Sequence, residues 1–171
     1  MNKVIKSYIK EVCPPFFIGQ LKKISDALKL LFMDNYLKKS FKRNSEFKNV
    51  HKGKRCFIIA TGPSIASQNL LPLKNELCIS VSQFYLHPGF SEIKPFYHIH
   101  APNHPPFDSE DINKLATSEE IAFKNHGPIC FYGHRNYNYS FFNVLKKTNK
   151  LNNRKINFVK QYRSSYCDRC Y

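Results

Sequence analysis

The chain has 171 residues, 42% of them hydrophobic and 23% charged, which suits one globular domain with a core plus a further segment. No apolar run approaches the roughly 18–20 residues of a membrane span. The opening "MNKVIKSYIKEVCPPFF" holds a glutamate and no long apolar stretch, so no secretory signal is expected and a cytoplasmic protein is. The net charge of +15 is concentrated at the two ends. Residues 1–55 carry fourteen Lys/Arg against four Asp/Glu, residues 56–128 four against seven, and residues 129–171 nine against one. A nucleic-acid binder spreads basic residues over its working face. Basic ends around a slightly acidic centre fit an anionic surface at least as well, and no nucleic-acid partner is expected.

In chain order, residues 16–39 have the first periodic pattern. Phe17, Leu21, Ile24, Leu28 and Leu31 recur at steps of three and four, while Lys22, Lys23 and Lys29 fall off that stripe. "CPPFF" supplies a start, because proline suits a first helical turn. The pattern predicts a basic amphipathic helix. Such a helix either rests on an anionic membrane, which would make the protein peripheral to the inner membrane, or packs on the following domain. Residues 38–55, polar and basic, read as a linker. The expected organisation is an N-terminal arm over residues 1–50 and a domain over 51–171.

From residue 56 the pattern changes. "CFIIA" (56–60), "LCISVS" (77–82), "FYHIHA" (96–101), "ICFY" (129–132) and the weaker "INFV" (156–159) are continuous apolar runs, as in parallel strands buried on both faces. Residues 108–125 read as a helix opened by acidic capping residues, and 139–150 as another. Strands alternating with helices predict an α/β fold with a mostly parallel, Rossmann-like sheet. Cys56, Cys78 and Cys130 lie in strand-like runs and read as small buried hydrophobes of a reducing compartment.

The first run breaks into Thr61-Gly62-Pro63-Ser64. In an open α/β sheet the first strand-to-helix turn is commonly the phosphate site, lying beyond the strands' carboxyl ends and near a reversal of strand order. Gly62 would permit positive φ and close backbone approach, Pro63 would fix the helix entry, and Ser64 could cap it or donate to a phosphate. Neither GxGxxG nor GxxxxGK[ST] is present, and a purely structural turn is the alternative.

"RCFIIATGPSI" followed by "LKNELCISVSQFYLHPGFSEIKPFYHIH" resembles a pattern in two groups of bacterial and archaeal proteins. One group is the sialyltransferases of bacterial lipooligosaccharide synthesis. The other comprises flagellin-modifying accessory transferases and hydroxymethylpterin pyrophosphokinases. The resemblance covers roughly residues 50–135 and implies a Rossmann-like fold with a Gly-Pro-Ser turn at the nucleotide phosphates. It assigns nucleotide contacts to Thr61, Gly62, Pro63 and Ser64, and to Ser82 and Gln83 after the second strand. Thr61 and Ser82 stand where those families carry Asn, and Ala101-Pro102 where they carry Asn-Pro or Asp-Pro. The implied partners are a nucleotide sugar, CMP-linked or related, and a glycan acceptor. Nothing after residue 140 matches the families' second half, which implies a shortened member.

Other constellations compete. His98 and His100, two apart on one strand, would face the same side, and with His104 and Asp108 they could form a metal-hydrolase site. Hydrogen bonding at a strand end is the simpler reading, and neither a metal nor a cofactor is expected. Cys167 and Cys170 form a single C-x-x-C knuckle, where a zinc ribbon needs two. "FYGHRNYNYSFF" gathers Tyr132, His134, Arg135, Tyr137 and Tyr139 at a strand end, where Arg and Tyr suit phosphates and stacked bases. His100 and His134 are the candidate general bases. The leading expectation is therefore a glycosyltransferase-like protein of bacterial surface-polysaccharide synthesis. A non-catalytic remnant that binds nucleotide or a membrane partner is the alternative, ahead of a nucleic-acid binder or a metal hydrolase.

Overall fold

The computed structural model describes residues 17, 20, 24, 32–103, 106–135, 139–150, 154 and 156–160. The chain divides into two compact units, residues 1–39 and 40–171. In the first unit, Phe17, Gln20 and Ile24 are helical, and Phe17 and Ile24 are exposed. The other residues of the expected stripe lie outside the described residues. A turn at residues 32–34 interrupts the expected 16–39 helix. Asp34 then starts a new helix, α1 (Asn35–Arg43), accepting the Tyr36 N–H at 2.8 Å on Oδ1. The division between the two units falls inside α1.

The second unit is an α/β domain built on a five-stranded, all-parallel sheet, as the apolar runs predict. The strands are β1 (Phe57–Ile59), β2 (Cys78–Val81), β3 (Tyr97–His100), β4 (Ile129–His134) and β5 (Ile156–Lys160). Short 3-10 helices at Pro63–Ser67, Leu71–Leu73 and Ser82–Leu86, with α2 (Phe90–Ile93), make the first two crossovers. The other two are α3 (Ser109–Ala122) and α4 (Phe141–Thr148). Asp108 caps α3 as expected, accepting from the Glu110 and Asp111 amides, while Asp111 returns a bond to the Asp108 N–H.

The strand order is β1-β2-β3-β4-β5, without reversal. This departs from the expected crevice, because right-handed crossovers that always step the same way put every connection on one face. That face carries the core: Cys78, Cys130, Tyr132, Ile156 and Phe158 of the strands pack under Ile112, Ala116, Phe123 and Phe141. On the opposite face Ile58 is 71%, Ile99 38% and Val159 44% exposed. The expectation of strands buried on both faces therefore holds only for part of the sheet. Cys56, expected to be buried, lies one residue before β1 and is exposed.

Residues 40–53, read as linker, form the missing cover. Phe47 packs edge-on against Phe131 (5.0 Å between ring centroids) and Tyr97 (6.0 Å), and His51 Nε2 is 2.7 Å from the Tyr97 hydroxyl. The end of α1 and the following turn also close the free edge of β5. The Phe158 N–H donates to Ser40 Oγ at 2.7 Å, Asn44 Nδ2 donates to the Phe158 carbonyl at 2.8 Å, and Arg43 donates to the Ile156 carbonyl. Arg43 Nε reaches Asn157 Oδ1 at 3.0 Å. The compact sheet-bearing unit runs from Ser40, and polar side chains of its first residues satisfy backbone groups of an edge strand. Phe47→Ala, which removes the central ring of the cover, is expected to lower the unfolding free energy by about 1–3 kcal/mol in urea titration.

Candidate functional site

The strand register brings the expected nucleotide residues to one rim. Ile59 pairs with Ser80 and Val81 with Ile99, so the chain leaves β1 at Ala60-Thr61 beside the end of β2 at Ser82. Farther along the rim, His100 pairs with Tyr132 and His134 with Lys160. Thr61, Gly62, Pro63 and Ser64 are all exposed, and so is Gln83; Ser82 is half-buried.

The turn is built differently from the expectation. Gly62 has φ −68° and ψ 156°, an extended conformation open to any residue, and stands before the first residue of a 3-10 helix begun by Pro63. The helix is closed by Ile65 N–H on the Gly62 carbonyl (3.0 Å) and by Ser67 Oγ donating to the Ser64 carbonyl (3.0 Å). Ser64 lies inside that helix, so its hydroxyl does not cap it. A methyl group built on Gly62 would meet only Ser64 Oγ, at 3.9 Å. The left-handed residue of the rim is Ser82, with φ 53°. For a non-glycine residue that conformation costs about 1 kcal/mol or more, and such strain concentrates where a side chain must be aimed.

Gly133 behaves in the opposite way. A methyl group there would fall 2.2 Å from Pro102 Cδ and 2.6 Å from its nitrogen. The β3-to-β4 rim is therefore closed by Pro102 packed on bare backbone. Beside it, on the face away from the helices, lies a groove of about 600 Å³ lined by Phe47, Ile99, Ala101, Pro102, Phe131 and Lys160, among others.

The two candidate bases part company. His134 is half-buried, with ring contacts to Phe41, Phe142 and Phe158. Its Nδ1 is buried and bonds to none of the described residues. Burial, with the nearby Lys160 charge, pushes its pKa below the usual histidine value, so the ring is neutral near pH 7 and able to accept a proton. His100 is turned into the helix–sheet interface. Its Nδ1 is 2.9 Å from Oε1 of Glu119, a fully buried carboxylate of α3. Tyr132 donates to Glu119 Oε2 at 2.5 Å, and His98 Nε2 stands 3.7 Å from Oε1. Burial alone would raise the Glu119 pKa, but the bond to His100 and the nearness of His98 outweigh it and hold the carboxyl down at about 2.

The expected partners of the two histidines are not those found. Asp108 is an exposed helix cap, and His104 lies outside the described residues, as do Tyr137, Cys167 and Cys170. Glu119 was not singled out from the sequence. Its only signal is its place in α3, three and seven positions from buried Ala116 and Ile112, on an apolar helix face. The burial of Tyr132 takes it out of the aromatic loop as a ligand contact. Cys130 is inert, its thiol pushed up to about 12 by burial.

Compared with known proteins, the chain matches no family model, no curated protein and no solved structure. The class that the fold defines is thus an α/β protein with a one-way-wound parallel sheet and a polar carboxyl-end rim. No helix of the described residues is long and apolar enough to cross a membrane.

Glu119→Ala strands the Tyr132 hydroxyl and two imidazoles in the core and is expected to cost about 3–5 kcal/mol. Glu76→Ala, which breaks the solvent-screened pair with Arg55, should leave the stability close to that of the wild type. The Glu119 pKa is depressed on folding, so its contribution is complete above about pH 4.5 and is lost as the pH falls towards about 2. Urea titrations across that range should show a steeper acid limb than Glu119→Ala shows.

Proposed function

We propose that the carboxyl-end rim binds a nucleoside phosphate and that the protein is a glycosyltransferase-like component of bacterial surface-polysaccharide synthesis. Its donor would be a nucleotide-activated sugar, CMP-linked or related, and its acceptor a glycan. The observation that carries this reading is Gly62. Its backbone conformation needs no glycine and its surroundings leave a side chain room, yet the sequence keeps bare backbone at the exposed end of β1, where a phosphate approaches most closely. The strained Ser82 on the adjacent strand end supports the same location, because its hydroxyl is held against the backbone preference of serine.

In this reading Thr61, Gly62, Pro63 and Ser64 meet the phosphates, and Ser82 and Gln83 meet the nucleoside or the sugar. His134 is a better proton acceptor than His100, being neutral and half-open where His100 is committed to Glu119. Adjacent strands lie about 4.8 Å apart, so β1 and β4 are separated by about 14 Å along the rim. A donor reaching His134 would therefore have to lie extended across β2 and β3. That separation also favours a second reading, in which nucleotide binds at β1 and β2 without turnover.

Thermal unfolding of the full chain with CMP, CDP, UDP, GDP and ATP tests the site. Ligand at about 100 times its Kd adds about 2.7 kcal/mol, or about 5–10 °C in Tm. One nucleotide should give such a shift. Gly62→Val and Ser82→Gly should abolish or weaken it while leaving the ligand-free Tm within about 2 °C, since neither change conflicts with the fold. A folded chain indifferent to all five nucleotides refutes the reading. Binding without sugar transfer from the matching donor leaves the non-catalytic version.

A further inference from the structure

The helix-side face of the sheet holds a second polar cluster with a different chemistry. His98, His100 and Glu119 are all buried, and one ligand atom from each lies within 4.8 Å of the others. Ser80 Oγ contacts both His98 Nδ1, at 2.9 Å, and the Tyr97 carbonyl, at 3.3 Å, which orients the ring and turns its Nε2 towards Glu119. That atom is fully buried, has no hydrogen-bond partner among the described residues, and faces Glu119 Oε1 at 3.7 Å. At 3.7 Å the pair is too long for a hydrogen bond, so a buried imidazole nitrogen stands unsatisfied beside a carboxylate, and a cation between them would satisfy both.

We propose that His98 Nε2, His100 Nδ1 and Glu119 Oε1 bind a zinc-class divalent metal ion. Ligand atoms of a tetrahedral zinc site stand roughly 3.4 Å apart, given bonds of about 2.0–2.2 Å. The separations of 2.9 Å from Glu119 Oε1 to His100 and 3.7 Å to His98 bracket that value. Two imidazoles and a carboxylate are a borderline donor set suited to zinc, with the fourth position left for water. An outer shell is already in place: Ser80 orients His98, and the Tyr132 hydroxyl holds the far oxygen of Glu119. The ion would tie α3 to β3 across the core, a structural role independent of the nucleotide reading of the rim.

The test uses the purified full-length chain after expression with supplemented zinc. Elemental analysis should find one zinc per chain. Chelation should lower Tm and added Zn²⁺ restore it, by about 5–10 °C at about 100 times the Kd. Co²⁺ loading should give the intense visible bands of a tetrahedral site. His98→Gln should lose the metal, and Ser80→Ala should weaken it about 10–100-fold without removing a ligand. Cys167→Ser/Cys170→Ser should keep it. Less than a tenth of an equivalent of metal, with Tm unmoved by zinc or chelator, overturns the proposal. So does metal that follows the two terminal cysteines instead of His98. Should His98→Gln fail to fold, the Ser80→Ala affinity and the wild-type measurements decide the question.

Discussion

Everything in this fold follows from a sheet that is wound in one direction. With strand order equal to chain order, all four connections fall on the same face. That face receives α3, α4 and the core aromatics, and it buries the polar side chains of Ser80, His98, His100 and Tyr132. The other face would be bare if the chain began at β1. Phe47 and His51 prevent that over β3 and β4, while Ser40, Arg43 and Asn44 occupy backbone groups of β5 that would otherwise pair with another strand. A segment that looks dispensable by composition completes both the second layer and the edge.

The same winding explains why the buried polar cluster exists where it does. Ser80, His98 and His100 alternate with apolar residues on β2 and β3, so all three point towards α3. Glu119 meets them there with no solvent to share the charge. An exposed pair such as Arg55–Glu76 adds little to stability and can be lost cheaply. The buried carboxylate has no such freedom: its partners must be present and well placed, or desolvation dominates. His100 is consequently committed to that carboxylate in the core, while His134 stays half-buried at the rim.

Much of the scaffold was legible in the sequence. All five apolar runs are strands within a residue or two, the helices over 108–125 and 139–150 are α3 and α4, and the acidic cap on Asp108 is present. Periodicity and capping are local, and local signals survive into the fold. What was not legible is non-local. Strand order is set by crossovers and not by any single run, so the absent reversal could not be read. The role of residues 40–53 depends on contacts to positions far along the chain, such as Phe47 with Phe131 and Ser40 with Phe158. Glu119 looks like one more surface glutamate of "TSEE" until α3 is laid on β3. Ser82 belongs to a residue type with no preference for positive φ, so its strain is invisible before the backbone is known.

Two glycines show how fold and function separate at the rim. Gly133 is required by packing: Pro102 sits where a β-carbon would be, and any larger residue must displace the β3-to-β4 turn. Gly62 has no such neighbour and no left-handed φ, so removing its flexibility should tend to stabilise the chain through the unfolded state. The fold therefore places no demand for glycine at this position. The two are indistinguishable as letters in a sequence. Only the geometry around them says that the sheet requires one glycine and leaves the other unconstrained.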